Sequence, residues 1–140
     1  MLLTELEVID LTKKILAMVT ADDASASVGS NKQSHLRFAG NNVLTSGSRE
    51  GRSANVTVWI GGKRGSASTN DLDDASLRTM VDRAEAIAKT APPDREYIPT
   101  LGCQVYKPVN GYFEATANLS LTDRATQIGS IISECEKNGV

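Results

Sequence analysis

Ala54-Asn55-Val56-Thr57-Val58-Trp59-Ile60, then Gly61-Gly62, then Lys63-Arg64-Gly65-Ser66-Ala67-Ser68 is the stretch whose reading decides the fold. From Ala54 to Ile60 apolar and polar residues alternate with a period of two, as in a strand with one face buried and one wet. The glycine pair tolerates positive φ, so it makes a tight turn, and a second strand follows at once. Upstream the same period marks strands at about Ala24 to Val28, Gln33 to Phe38, and Val43 to Gly47, the last joining a mobile link. Gly40-Asn41-Asn42 reads as another hairpin turn. The expected sheet therefore has four antiparallel strands, or five if Val43 to Ser48 pairs on its own.

Helices flank this region. Thr4 and Glu7 have the spacing of a capping box, with Leu3 and Val8 at the staple positions, so a helix is expected from about Thr4 to Val19. Its apolar positions Val8, Leu11, Ile15, Met18 and Val19 form one face. Asp73 caps a second helix, whose stripe is Leu77, Met80, Val81, Ala84, Ile87, Ala88 and Ala91, and Pro92-Pro93 ends it. Residues from Pro92 to about Asn118 show no sustained period, yet they hold all four prolines and Tyr97, Tyr106, Tyr112 and Phe113. Such a stretch either lies over the core or reaches for a partner. A third helix, about Leu121 to Asn138, opens with Ser120 and Asp123 at capping-box spacing and stops at Gly139. The order α-β-β-β-β-α-loop-α predicts an α+β fold in a single domain over residues 1–140, with no strand and helix alternation to build a parallel sheet.

Composition narrows the function. At 40% hydrophobic content, about 56 of 140 residues are apolar, enough for one core. A net charge of -2 gives no surplus to attract nucleic acid or anionic membrane. No apolar run approaches the roughly 20 residues of a membrane span, and the start Met1-Leu2-Leu3-Thr4-Glu5 is acidic where a secretory signal is basic. The expected location is the cytoplasm, with Cys103 and Cys135 as free thiols and Cys135 on the apolar stripe of the last helix. Asn55-Val56-Thr57 and Asn118-Leu119-Ser120 match the glycosylation acceptor pattern, which carries no weight without a secretory signal.

No residue set marks catalysis. The only histidine, His35, falls on the strand face shared with Arg37, opposite Leu36 and Phe38. One His and two distant Cys make neither a zinc site nor a nucleophile and base pair. Gly61-Gly62-Lys63-Arg64-Gly65-Ser66 lacks the spacing of a phosphate loop and lies between strands. Asp71, Asp73 and Asp74 precede a helix, where acids meet its N-terminal dipole. Arg49, Arg52, Lys63 and Arg64 are the one basic concentration, either solvated turn charge or a contact for an acidic partner or a peptide carboxylate. The expectation is no catalytic and no metal-binding residue in this chain, with substrate-binding residues unassigned.

Arg37-Phe38-Ala39-Gly40-Asn41-Asn42-Val43, Val56-Thr57-Val58-Trp59-Ile60, Arg64-Gly65-Ser66-Ala67-Ser68-Thr69-Asn70-Asp71-Leu72 and Ala84-Glu85-Ala86-Ile87-Ala88-Lys89, in that order, resemble the N-terminal domain of the TldD/PmbA family, also called modulators of DNA gyrase. The resemblance implies a zinc metallopeptidase system that matures peptides and degrades unfolded polypeptides. In its catalytic members a His-Glu-x-x-x-His helix and a later Cys hold zinc, and the glutamate is the general base. No position here matches those ligands, so zinc would belong to a longer parent of the TldD type and not to this chain. The resemblance further implies a missing C-terminal catalytic domain, assembly as a homodimer or a TldD/PmbA-type heterodimer, and a role in enclosing the substrate chamber or in dimerisation. The expected partners include peptide or unfolded polypeptide, and neither nucleic acid nor membrane. Alternating strands such as Gln33 to Phe38 and Ser53 to Ile60 also offer strand addition to an extended peptide. The alternative is a free-standing interaction domain that docks a partner through the aromatic-rich segment 97–113.

Overall fold

Helix α1 (Glu5–Met18) starts where its local signals place it: Thr4 Oγ1 accepts from Glu7 N–H, and the Glu7 carboxylate accepts from Thr4 N–H at 2.7 Å. The computed structural model describes residues 2–139. Three strands follow, β1 (Asp23–Ala39), β2 (Asn42–Ile60) and β3 (Lys63–Thr69), then α2 (Asp74–Thr90), the short α3 (Glu114–Ala117) and α4 (Leu121–Lys137). The sheet order is β1-β2-β3, and β2 and β3 are antiparallel. The α+β class is as expected. The strand count is not: the sheet has three strands, and a fourth helix, α3, lies in the segment expected to be irregular.

The difference has a physical cause. Gly29-Ser30-Asn31-Lys32 and Ser48-Arg49-Glu50-Gly51 look like breaks within single strands, yet they face each other. Gln33 meets Arg49 at 3.0 Å, Ser34 meets Ser48 at 3.0 Å and Lys32 lies 3.9 Å from Glu50. Cross-strand polar pairs of this kind stabilise a ribbon whose individual strands are not hydrophobic. The turns themselves are as expected. Gly40 and Asn41 have φ of 54° and 56°, and Gly61 and Gly62 have 56° and 72°, the left-handed pattern that two-residue hairpins require.

Two compact units result, and β1 and β2 contribute to both. The first joins the chain up to Lys32 with Glu50–Gln104 and contains the core. Ala54, Val56 and Val58 of β2 are buried with Ile15 of α1 and with Leu77, Met80, Val81, Ala84 and Ala88 of α2. Their cross-strand partners in β3 are small: Val56 pairs with Ala67 and Val58 with Gly65. Helix α2 settles directly on this small-residue strip, and a Cβ at Gly65 would stand 2.0 Å from the Ala84 carbonyl oxygen. Ile87, on the expected stripe, is instead 42% exposed.

Polar groups fasten the helices of this unit. Glu85, buried among the apolar residues of α2, accepts from Thr20 N–H at 2.6 Å and from Thr20 Oγ1 at 2.9 Å. Arg78 donates to the Met18 carbonyl at 2.9 Å, near the end of α1. The second unit joins Gln33–Arg49 with the chain from Val105 onward. Here α4 turns the half-buried Ala125, Ile128, Ile132 and Cys135 to one side, and Ser120 and Asp123 form the expected capping box. Asn41 Nδ2 donates to Glu136 at 3.4 Å.

Candidate functional site

Beyond α2 the chain runs along the tip of the β2–β3 hairpin. Asp94 N–H donates to the Gly62 carbonyl at 2.8 Å, and Lys63 bridges to Pro93. Tyr97 then packs on Trp59, their ring centroids 5.7 Å apart, on the sheet face opposite the helices. Asp23 completes the anchor. Its carboxylate accepts from Tyr97 Oη at 3.0 Å, from Thr100 N–H at 2.9 Å and from Thr100 Oγ1. The hydroxyl of Thr100, and next its N–H, hold the Asp23 carboxyl below its ordinary value of 3.8. Desolvation, and next the bond to Asp23, push the Tyr97 phenol up.

Past this anchor the apolar side chains have no cover within the described chain. Ile98, Leu101, Tyr106, Val109, Tyr112 and Phe113 are all exposed, and Val105 is 100% exposed. Seven large apolar side chains in one segment of sixteen exceed the scattered surface hydrophobics that need no explanation. The segment is thus fastened at its root and bare beyond it. We take it as the candidate interaction surface.

The anchor yields a test. A carboxylate whose folded pKa is depressed stabilises above its unfolded value and loses that contribution as pH falls through the folded value. Emission from Trp59, the single tryptophan, is therefore expected to titrate below pH 3.8 as Tyr97 is released. Asp23→Ala should abolish that transition and speed tryptic cleavage after Arg95 at neutral pH. An unchanged acid transition in the variant would assign it to another group.

The residues singled out by sequence fall in separate places. Asp73 caps α2 by accepting from Ser76 N–H at 2.8 Å, which holds its carboxyl down, and Asp74 pairs with Lys14. Lys63 Nζ reaches the Lys89 carbonyl at 3.4 Å, Arg64 lies opposite Trp59, and Arg52 borders a groove with Glu7, Asp10 and Lys14. Arg49 belongs to the second unit, so the four basic residues form no single patch within either unit. His35 is exposed on β1, Cys103 is exposed in the irregular segment and Cys135 is half-buried on α4. Among the described residues no three His, Cys, Asp or Glu side chains gather as a metal site would need. The donors present here therefore do not fit zinc. No helix among those residues is long and apolar enough to cross a membrane. Asp23 and Glu85 carry no signal in a single sequence, because their partners lie 77 and 65 positions away.

A three-stranded antiparallel sheet packed on α1 and α2 is found in larger proteins as well. Residues 24–88 match the family model described as PmbA/TldA metallopeptidase domain 1. Over this segment, just under half of the chain, the sequence is similar to the first domain of the TldD/PmbA family. The fold is shared with TldE from Thermococcus kodakarensis, at 14% identity and a TM-score of 0.70, over 94% of this chain and 29% of that one. It is shared also with a protein from Thermotoga maritima described as a modulator of a DNA gyrase, at 15% identity and a TM-score of 0.64, over 86% of this chain and 27% of that one. The chain thus spans less than a third of the length of these structures. No curated protein matches it.

Proposed function

We propose that this chain is the non-catalytic first domain of a TldD/PmbA-type metallopeptidase that matures peptides and degrades unfolded polypeptides in the cytoplasm. Its role is to help enclose the substrate chamber or to join subunits, as a homodimer or a TldD/PmbA-type heterodimer. The observation that carries this reading is the bare apolar run from Ile98 to Phe113, rooted by Asp23 and Trp59. An apolar surface of that kind calls for a protein cover, and a C-terminal catalytic domain supplies one. Zinc, if the parent is of the TldD type, is held by that further part, where it would polarise the scissile carbonyl and acidify a bound water.

The test is metal content and peptide cleavage of the 140-residue chain beside the protein extended by its C-terminal part. Zinc and cleavage in the longer form alone are expected. Neither in either form indicates the inactive PmbA-type partner, and zinc-dependent cleavage by the short form overturns the assignment. The same exposed run favours one other reading, a free-standing domain that docks a partner through residues 97–113. Limited proteolysis separates the two: cuts between Arg95 and Lys107 should be suppressed in the longer form, and undiminished cutting there favours the docking module. Of the two strands considered for strand addition, Ser53 to Ile60 is ruled out, because it lies in the central strand. Only β1 keeps an edge on that side of the sheet.

A further inference from the structure

We propose that a recess on the ribbon between Gln33 and Arg49 is a carboxylate-binding site that takes a peptide, through its C-terminal carboxylate or an acidic side chain. The choice of a peptide rests on the function proposed above; the choice of a carboxylate rests on the recess itself. Gln33, His35, Gly47, Ser48 and Arg49 line a volume of about 330 Å³, large enough for one residue-sized group. Gln33 Oε1 accepts from Arg49 Nε at 3.0 Å, which fixes the plane of the guanidinium. Among the described residues nothing bonds to its two terminal nitrogens, and no carboxylate pairs with it. A guanidinium held at Nε with its fork open is arranged for a two-oxygen anion.

The imidazole stands beside this fork. His35 lies across Gly47, where a Cβ would come within 2.8 Å of its Cε1, so the glycine is the seat that lets the ring lie against the opposite strand. Its N–H adds a donor to those of Arg49. The ribbon itself carries no acid; the nearest in sequence, Glu50, lies 3.9 Å from Lys32, and Glu136 accepts from Asn41 at the ribbon's far turn. From Gln33 to Arg49 the sequence contains no Asp or Glu, although the whole chain has 17 acidic residues against 15 basic ones. The ribbon is thus a local reversal of the overall charge. Because β1 is the outer strand of the sheet, a peptide seated here also has backbone groups beside it to pair with.

The experiment follows amide shifts of the ¹⁵N-labelled 140-residue chain on titration with four short acetylated peptides. One has a free C-terminus, one is amidated with a single glutamate, one is amidated with glutamine in its place, and one has both acidic groups. Shifts at Gln33, His35, Gly47, Ser48 and Arg49 are expected with the acidic peptides and not with the neutral one. The first two peptides tell the C-terminus from the side chain. Arg49→Gln should weaken binding roughly tenfold or more, as loss of a charge-assisted hydrogen bond does. Gln33→Leu, which keeps the charge but frees the fork, should weaken it less, and unchanged core amides at Val56 and Val58 certify that each variant is folded.

Absence of shifts at millimolar peptide, equal response to the neutral peptide, undiminished binding by folded Arg49→Gln, or equal affinity for inorganic phosphate each overturns the proposal. Its fate is separable from that of the peptidase reading. Failure here with zinc-dependent cleavage in the longer protein alone removes the recess alone, whereas binding here with zinc-dependent cleavage by the 140-residue chain removes the first-domain assignment alone.

Discussion

Gly65→Ala is expected to destabilise the folded chain by about 3 kcal/mol, at the top of the usual range for overpacking a core. The added methyl would meet backbone on both sides of one helical turn, 2.0 Å from the Ala84 oxygen and 2.5 Å from the Ala88 nitrogen. Neither atom can rotate away as a side-chain tip would, so α2 must lift from β3 or β3 must bend. Lifting α2 uncovers Val58 and Val81, both fully buried. A urea titration reads the effect as a lower midpoint at unchanged slope. Ser68→Ala, on the exposed face of the same strand, serves as the control and should stay within about 0.5 kcal/mol. A midpoint for Gly65→Ala equal to that control would show that the close approach has no energetic weight.

The second large effect is expected from Leu77→Ala, at about 2–5 kcal/mol. Leu77 is fully buried, in a cluster with Ile15, Val56, Val58 and Val81, and truncation leaves a cavity that these side chains can fill only in part. The informative comparison is Ile87→Ala. Both residues belong to the same apolar stripe by sequence, but Ile87 is 42% exposed and its truncation should cost about 1 kcal/mol or less. Equal losses at the two positions would mean that Ile87 is covered in solution, for instance by a second copy of the chain.

These two sites also show what a single sequence discloses. Signals that act within one or two turns of chain were legible: the caps at Thr4, Asp73 and Ser120, and the hairpin turns at Gly40-Asn41 and Gly61-Gly62. The alternation from Ala54 to Ile60 placed Val56 and Val58 inside correctly. Two ordered strings that carry the family likeness, around Gly65 and around Ala84, prove to be the two sides of one close contact. The polar stretches between the expected strands carry no strand signal of their own, because their partners lie on the other strand: Lys32 opposite Glu50, Gln33 opposite Arg49. The same limit hid the candidate surface's anchor. Nothing near Asp23 announces that Tyr97 and Thr100 will close on it.

The second unit contains no fully buried residue among those described, whereas the first holds the whole buried cluster. Protection against solvent exchange is therefore divided along the length of two continuous strands. Backbone amides near Val56 can exchange only when the core opens, while those near Val43 are guarded by little more than their own ladder bonds. A single strand thus spans a slow clock at one end and a fast one at the other, and the ribbon between Gln33 and Arg49 can adjust to a ligand without loosening the core.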